Sequence, residues 1–291
     1  MTEGNLAFWM AFQSRRLVTV TPDIVPVLRP LVARTGMPLS EYSVANLVLF
    51  CATHRYVLAK EPAPHILGVT YDGKRHAMPL GSIGSELAER LLDGVDHLGP
   101  FADDGPAMAR SWRLACDWLD ADSDYIFEAT RLAGLVGAKA KRSQARAFER
   151  DYSPQAVELQ GNLVEAAAEV LEGWLADVGR EPDATDYEPC REALRLMEVL
   201  QLEGVVVFAE GRPVAFLISG PAADGSRIVH FAKGRREFAG AYPWMFSHYA
   251  AHLGSGRLNF EQDLGNGRFA RAKQALAPIT RLRKWRLFRS G

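Results

Sequence analysis

The order of segments in the second half of the chain restricts it to few folds. Apolar residues recur with helical spacing over Leu163–Val178, and Pro189 stands where a second helix can begin. Three strand-like runs follow, and Glu210-Gly211 between the first two is typical of a tight hairpin. This order predicts a mixed sheet flanked by helices. The elements predicted after the two helices are Gly204–Ala209, Pro213–Ser219, Arg227–Ala232, Gly240–Leu253, Arg257–Leu264, Arg268–Leu276 and Leu282–Phe288.

The first half of the chain shows the same order of elements with little residue identity. It closes with a strand at Tyr125–Glu128 and a basic helix at Lys139–Phe148. The sequence therefore predicts a duplicated α/β fold with mixed sheets, divided into residues 1–148 and residues 149–291. The other predicted elements are Leu17–Thr21, Asp23–Thr35, Ser40–Ala52, Tyr56–Ala59, His65–Tyr71, Arg75–Pro79, Ser85–Asp93, His97–Phe101, Pro106–Leu119 and a short strand at Arg150–Tyr152.

Composition excludes several classes of protein. With 48% hydrophobic and 24% charged residues, a chain of 291 residues can bury a large core, which excludes global disorder. The longest apolar run, Ala45–Ala52, is far shorter than the ~20 residues that span a bilayer, and no signal peptide is expected. Three widely spaced cysteines argue against a disulfide framework or a thiolate zinc site. We expect a cytoplasmic protein without a bound metal.

A net charge of −1 conceals a segregation of charge along the sequence. From Leu264 to the end there are many cations and no acidic residue, and a second cluster of cations lies in the middle of the chain with only Glu149 against it. Such segregation favours an anionic partner, although solvated helix faces would produce the same pattern. The C-terminal cations are Arg268, Arg271, Lys273, Arg281, Arg283, Lys284, Arg286 and Arg289; the central ones are Lys139, Lys141, Arg142, Arg146 and Arg150.

Several stretches together resemble one family, that of the phosphatidylglycerol lysyltransferase C-terminal domain. The stretches that carry the resemblance are Leu39–Phe50, Tyr125–Glu128 with Lys139–Phe148, His230–Lys233, Gly240–Tyr242, Asn259–Gly265, Ala270–Lys273 and Pro278. The resemblance implies two tandem domains of the Gcn5-related N-acetyltransferase type, as in the Fem transferases. It also implies transfer of an aminoacyl group from aminoacyl-tRNA to a lipid or a small molecule. Because the membrane-spanning part of the lipid-modifying members is not in this sequence, we expect a small soluble acceptor.

The predicted strand Arg257–Leu264 carries the candidate catalytic residues. Alternation places Asn259, Glu261 and Asp263 on one face, about 7 Å apart in steps of two. A polar row on an internal strand indicates a cleft. We expect Glu261 to position or deprotonate an amine or hydroxyl, and Asp263 to orient a cation such as Lys273 or Arg271. A salt-bridged structural pair, or Asp263 capping the next helix, remains the alternative.

The donor is the second open question. Acetyltransferase folds bind the pyrophosphate of coenzyme A at a glycine-containing turn, but here the equivalent stretch, Arg236–Ala241, has alanine at the first glycine position and an acid beside it. This favours aminoacyl-tRNA as donor with no bound cofactor. A coenzyme-A-dependent N-acyltransferase, using acetyl-CoA, and a non-catalytic RNA- or ligand-binding module remain alternatives. The residues expected to bind the donor are Lys139, Lys141, Arg142, Arg146, Arg236, Arg271, Arg283 and Lys284.

Overall fold

The computed structural model describes Trp9 and residues 17–290. The expectation that the chain has no signal peptide concerns N-terminal residues that lie outside this described part. Two seven-stranded sheets organise the chain. The strands are β1 (Leu17–Thr19), β2 (Val57–Ala59), β3 (His65–Val69), β4 (Arg75–Pro79), β5 (His97–Phe101), β6 (Ala115–Asp117), β7 (Asp124–Glu128), β8 (Gln155–Glu158), β9 (Glu203–Ala209), β10 (Arg212–Pro221), β11 (Arg227–Gly234), β12 (Arg257–Asn259), β13 (Thr280–Leu282) and β14 (Trp285–Phe288).

Helices connect the strands of both sheets. Within the described residues, none of them is both long enough and apolar enough to cross a bilayer. The helices are α1 (Val25–Ala33), α2 (Val44–Leu49), α3 (Cys51–His54), α4 (Ser85–Leu92), α5 (Gly105–Trp112), α6 (Ala129–Ala133), α7 (Lys139–Tyr152), α8 (Leu163–Val178), α9 (Tyr187–Arg195), α10 (Ala241–Leu253) and α11 (Gly267–Gln274).

The two sheets have the same topology. The first runs β1-β2-β3-β4-β5-β14-β6, and the second runs β8-β9-β10-β11-β12-β7-β13. In each sheet the second, third and fourth strands are antiparallel neighbours, whereas the fourth and fifth are parallel. A helix lies between the fourth and fifth strands of each repeat along the chain, α4 in the first and α10 in the second. The predicted duplicated α/β fold is confirmed.

Each sheet takes its sixth strand from the other half of the sequence. β7 pairs with β12, where Phe127 lies opposite Leu258, and β14 pairs with β5 and β6. One compact unit takes in the chain up to Asp124, residues Ala222–Gly225 and the chain from Leu282 onward. The other takes in Tyr125–Pro221 and Ser226–Arg281.

This strand exchange corrects the predicted domains, residues 1–148 and residues 149–291. The strand predicted at Tyr125–Glu128 and the basic helix belong to the second unit, whereas the last strand belongs to the first. Segment order along the chain does not reveal which strands pair. Buried side chains hold both exchanged strands, since Phe127 is 1% exposed and Leu287 is fully buried. Burying such a side chain stabilises a fold by about 1.5–3 kcal/mol.

Three predicted boundaries are wrong for local reasons. The helix predicted over Pro106–Leu119 ends at Trp112 because Arg113 adopts a left-handed conformation (φ 58°), and β6 follows. Helix α7 continues through the strand predicted at Arg150–Tyr152 and ends where Ser153 is left-handed (φ 44°). The strand predicted over Arg257–Leu264 ends at Asn259.

Candidate functional site

The candidate site lies where β11 and β12 separate. These parallel strands pair only at Arg227 with Leu258 and at Ile228 with Asn259. Beyond that point β11 continues to Gly234 while β12 ends. In open sheets with parallel strands, ligands bind beyond the carboxyl ends of such strands. The residues that follow Asn259 therefore stand at the position in the second unit where a substrate is expected.

A β-bulge on β11 directs a histidine toward this opening. Ile218 of β10 lies opposite Phe231, and the next residue, Ser219, lies opposite Val229, so His230 is the extra residue. Bulges re-aim side chains and are frequent beside active sites. The His230 side chain is fully buried, and its Nδ1 lies 3.1 Å from Glu261 Oε1.

Glu261 follows β12 in an unusual backbone conformation. Its φ of 56° is in the left-handed region, which a residue with a side chain adopts at a cost of about 1–3 kcal/mol. The turn is held by the buried Asn259, whose Oδ1 accepts a 2.7 Å hydrogen bond from the Glu261 N–H. The Glu261 carbonyl accepts a hydrogen bond from the Tyr125 N–H of β7. The Glu261 side chain remains 18% exposed, which leaves it accessible to a substrate.

Asp263 acts as a structural acceptor beneath this turn. The carboxylate is 4% exposed and accepts hydrogen bonds from the Tyr125 hydroxyl at 2.6 Å and from the Gly265 N–H at 2.9 Å. Its nearby cation is Arg281, at 3.8 Å, rather than the predicted Lys273 or Arg271. The guanidinium of Arg281 also lies over the Tyr125 ring.

Lys273 stabilises the same turn from α11. Its Nζ donates hydrogen bonds to the carbonyl oxygens of Gln262 (2.6 Å) and Glu261 (3.2 Å). The helix is capped by Asn266, whose side chain accepts hydrogen bonds from the first backbone N–H groups. Asp263, which the sequence left as an alternative cap, lies before this helix and binds Gly265 instead.

The structure thus brings the four predicted catalytic residues, Asn259, Glu261, Asp263 and Lys273, into one cluster. Sequence reasoning missed His230 and Tyr125. His230 lies in His230–Lys233, one of the stretches that carry the family resemblance. An isolated histidine in a strand is, however, usually a buried core residue, so the sequence alone did not mark it as functional. Tyr125 reaches the cluster only through the strand exchange, which no local pattern signals.

A second polar network supports the bulge from behind. The hydroxyl of Ser219 is hydrogen-bonded to that of Tyr249 on α10, and Tyr249 donates a 2.7 Å hydrogen bond to Glu203. Arg227 pairs with the same carboxylate at 2.6 Å. Burial, together with the bond to Glu203, raises the pKa of Tyr249 and keeps it a neutral donor. Hydrogen bonds therefore join the strand beside His230 to α10 and β9.

The turn at Arg236–Ala241 offers few donors for a pyrophosphate. The N–H groups of Ala239 and Ala241 already donate to the carbonyls of Glu237 and Phe238, and Pro243 has no N–H. A Cβ atom at Gly240 would lie 2.4 Å from the Gln144 carbonyl oxygen, so α7 packs closely against this turn. Phosphate binding at a helix start requires free, outward-pointing N–H groups.

Helix α7 presents a face of cations to solvent. Lys139, Arg142 and Arg146 are exposed and line one shallow groove with Arg150. Within the described residues, no ion pair joins the first three to an acidic side chain. Lys141 is only half-buried beside them. Positions 139, 142 and 146 therefore share one face of the helix.

Lys284, predicted to bind the donor, is unavailable for that role. It is 3% exposed in the first unit, with its Nζ 2.6 Å from Asp124 Oδ1 and 2.8 Å from Glu41 Oε1. The Ser40 hydroxyl accepts a third hydrogen bond from it. Burial alone would lower the pKa of Lys284. The attraction of the Asp124 and Glu41 carboxylates is the larger effect, so the pKa of Lys284 is raised. Burial also raises the pKa of Glu41, to about 7, against the lowering effect of Lys284.

Other C-terminal cations are also neutralised in part. Arg286 pairs with Asp72 and Asp122, and Arg289 pairs with Glu89 and Asp93. Arg283 is exposed and its guanidinium lies 4.7 Å from the Trp118 ring centroid. Arg236 and Arg271 in the second unit are exposed. The C-terminal charge predicted from sequence therefore reaches solvent at fewer positions than expected.

Solved structures of other proteins have a fold similar to that of this chain. A conserved protein of unknown function from Bacteroides thetaiotaomicron VPI-5482 superimposes with a TM-score of 0.84 at 19% identity, over 95% of this chain and 100% of the other. L-PGS from Bacillus licheniformis superimposes with a TM-score of 0.61 at 13% identity, over 91% of both chains. A search of curated proteins gave no match. The family model described as "Phosphatidylglycerol lysyltransferase, C-terminal" matches residues 33–287, and the chain belongs to that family.

Proposed function

We propose that the protein transfers an aminoacyl group from aminoacyl-tRNA to a small soluble acceptor that carries an amine or a hydroxyl group. The observation that carries the proposal is the Glu261 carboxylate, fixed where β11 and β12 separate and still 18% exposed. Membership of a transferase family supports acyl transfer as the reaction class. Arg236 and Arg271, both exposed in the same unit, are additional candidates for donor contacts, as is Arg283 in the first unit.

The reaction needs one proton acceptor. Glu261 takes the proton from the acceptor's N–H or O–H group as the nitrogen or oxygen attacks the ester carbonyl of the aminoacyl-tRNA. The new C–N or C–O bond forms, the ester bond to the terminal ribose breaks, and the ribose oxygen receives the proton that Glu261 took. Because the aminoacyl ester is already activated, no further cofactor is required.

Two features favour tRNA over coenzyme A as the carrier. The first is the turn at Arg236–Ala241, where four N–H groups already have acceptors, and Pro243 just after it supplies none. The second is the cationic face of α7. Lys139 and Lys141 occupy the first turn of that helix, where a positive charge opposes the helix dipole by about 0.3–1 kcal/mol. An anionic partner bound to this face would offset the cost of placing Lys139 and Lys141 at the start of the helix.

The test measures label transfer from bulk aminoacyl-tRNA charged with radioactive amino acids. The purified protein is mixed with it and with either a small-molecule fraction of a cell extract or phosphatidylglycerol vesicles. We expect label in a new soluble product, lost with Glu261→Gln. Label in the vesicles would move the acceptor to a lipid.

Two other outcomes would contradict the proposal that aminoacyl-tRNA is the donor. Acetyl transfer from acetyl-CoA, with coenzyme A retained in native mass spectra, would establish the N-acyltransferase alternative. Tight tRNA binding without release of label under any condition would indicate a binding module.

A further inference from the structure

We infer that His230 is a positioning residue that holds the Glu261 carboxylate in the orientation needed to accept a proton. This inference rests on the proposed function and deepens it. The two side chains differ in exposure: that of His230 is fully buried, whereas that of Glu261 is 18% exposed. Only the carboxylate can reach a substrate, so the imidazole acts through it.

The direction of the hydrogen bond defines the state of the imidazole. A carboxylate only accepts hydrogen bonds, so the contact of 3.1 Å requires a proton on His230 Nδ1. That bond fixes one of the two carboxylate oxygens, Oε1. The backbone of Glu261 is fixed by Asn259 and Tyr125, and the hydrogen bond from His230 acts on the side-chain torsions.

The fold makes specific room for this imidazole. His230 occupies the bulge, and Gly220 on the neighbouring strand lies behind it. A Cβ atom at Gly220 would lie 2.9 Å from His230 Nε2 and 2.8 Å from Leu202 Cδ2. Since real Cβ contacts are longer than this, a side chain at position 220 would force the imidazole and the Leu202 side chain to shift.

Stability alone is a poor explanation for the pair. A buried polar pair is weak support for a fold, because desolvation offsets much of the attraction, and an apolar residue of similar size packs as well. The partly exposed Glu261 can turn to water when its partner is removed. Replacing His230 with leucine should therefore affect catalysis more than folding.

The test compares His230→Leu with His230→Asn. The asparagine amide stands near the position of Nδ1 and can still donate to Glu261. We expect His230→Leu to lower kcat about 10²-fold, with the KM for aminoacyl-tRNA unchanged, since a misplaced group costs about that much. His230→Asn should recover most of kcat. Equal losses in the two variants, or wild-type kcat in His230→Leu, would overturn the inference.

Gly220→Ala offers a variant that keeps the histidine and displaces its ring. We expect a lower kcat with an unchanged KM. The matched control is Gly81→Ala, where an added Cβ meets nothing within 4 Å, and it should behave as wild type. A Gly220→Ala protein with wild-type kcat would contradict the positioning role.

An imidazole NMR spectrum separates this inference from the proposed function. In the ¹⁵N-labelled protein the His230 signals, assigned by their loss in His230→Asn, should show the Nδ1–H tautomer and move in Glu261→Ala. An Nε2–H tautomer would overturn the inference. If the wild-type protein transfers no aminoacyl group, the proposed function fails, while the spectrum still decides whether His230 holds Glu261.

Discussion

The hydroxyl of Tyr125 donates a 2.6 Å hydrogen bond to the Asp263 carboxylate, across 138 positions of sequence. Tyr125 lies on β7 and Asp263 follows β12, the strand that pairs with β7. The bond therefore joins the exchanged strand to the turn that carries Glu261. It shows that the candidate site depends on a strand encoded in the first half of the chain.

Glu261→Gln should slow single-turnover aminoacyl transfer about 10²–10⁴-fold, because the amide cannot accept the proton. The midpoint of thermal unfolding should change little, since the side chain is partly exposed. The matched control is Glu158→Gln, on the exposed surface of β8, which should leave both quantities unchanged. A large loss of stability with normal activity per folded molecule would identify Glu261 as structural.

Tyr125→Phe should lower the free energy of unfolding by about 1.5–3 kcal/mol, the range for a buried hydrogen bond to a charged group. Chemical denaturation measures it. Tyr152→Phe is the control, because the Tyr152 hydroxyl has no hydrogen-bond partner among the described residues. Equal effects of the two substitutions would mean that the bond to Asp263 contributes nothing.

Reversal of Arg142 and Arg146 to glutamate should weaken tRNA binding whatever the tRNA sequence, since phosphate contacts do not read bases. With about four phosphate contacts, log affinity of the wild-type protein should fall with log salt at a slope near −3, and the variant's slope should be shallower. Reversal of Arg191 and Arg195 on α9, which pair with Glu188 and Glu192, makes the same change of net charge as a control. Identical affinities in the two double variants would exclude α7 as the binding surface.

The buried carboxylate of Glu41 should make stability fall as pH rises. Burial raises its pKa to about 7 in the folded protein from 4.5, so the folded state binds more protons than the unfolded state between these values. Its contribution is complete below pH 4.5 and is lost as the pH passes 7. Relative to Glu41→Gln, which cannot ionise, the wild-type unfolding midpoint should drop between pH 5 and pH 8. A constant difference across that range would contradict the burial effect.

The strand exchange predicts which fragments fold. A fragment of residues 125–281 retains the strands of the second sheet from Tyr125 to Arg281, so it should unfold cooperatively on heating. A fragment of residues 149–291 lacks β7 and should aggregate or remain unfolded. Calorimetry on both fragments tests this, and a cooperative transition in the shorter one would show that β7 is dispensable.

Periodic segments were predictable because their pattern comes from local packing. Helix α8 and strands β4 and β5 have the bounds that the sequence predicts. The alternation over Arg257–Leu264 was misleading, because Glu261 turns left-handed and Lys273 holds the turn from another helix. Proximity in sequence still placed Asn259, Glu261 and Asp263 in one cluster.

Pairing between distant residues could not be predicted. Lys284 belongs to a run of cations, but Glu41, 243 positions away, and Asp124 enclose it. His230 reaches Glu261 through a bulge, which is a property of two strands in register and not of one strand's composition. Both errors have the same origin, since each depends on which strands become neighbours.

The position of β14 affects how the nascent chain can mature on the ribosome. β5 is synthesised before the second unit, yet its neighbour in the sheet, Trp285–Phe288, is synthesised after it. Large chains usually fold domain by domain from the N-terminus as synthesis proceeds, but here the first sheet stays incomplete until the second unit has been synthesised. A premature stop between the second unit and β14 would therefore damage a sheet whose other strands are encoded much earlier.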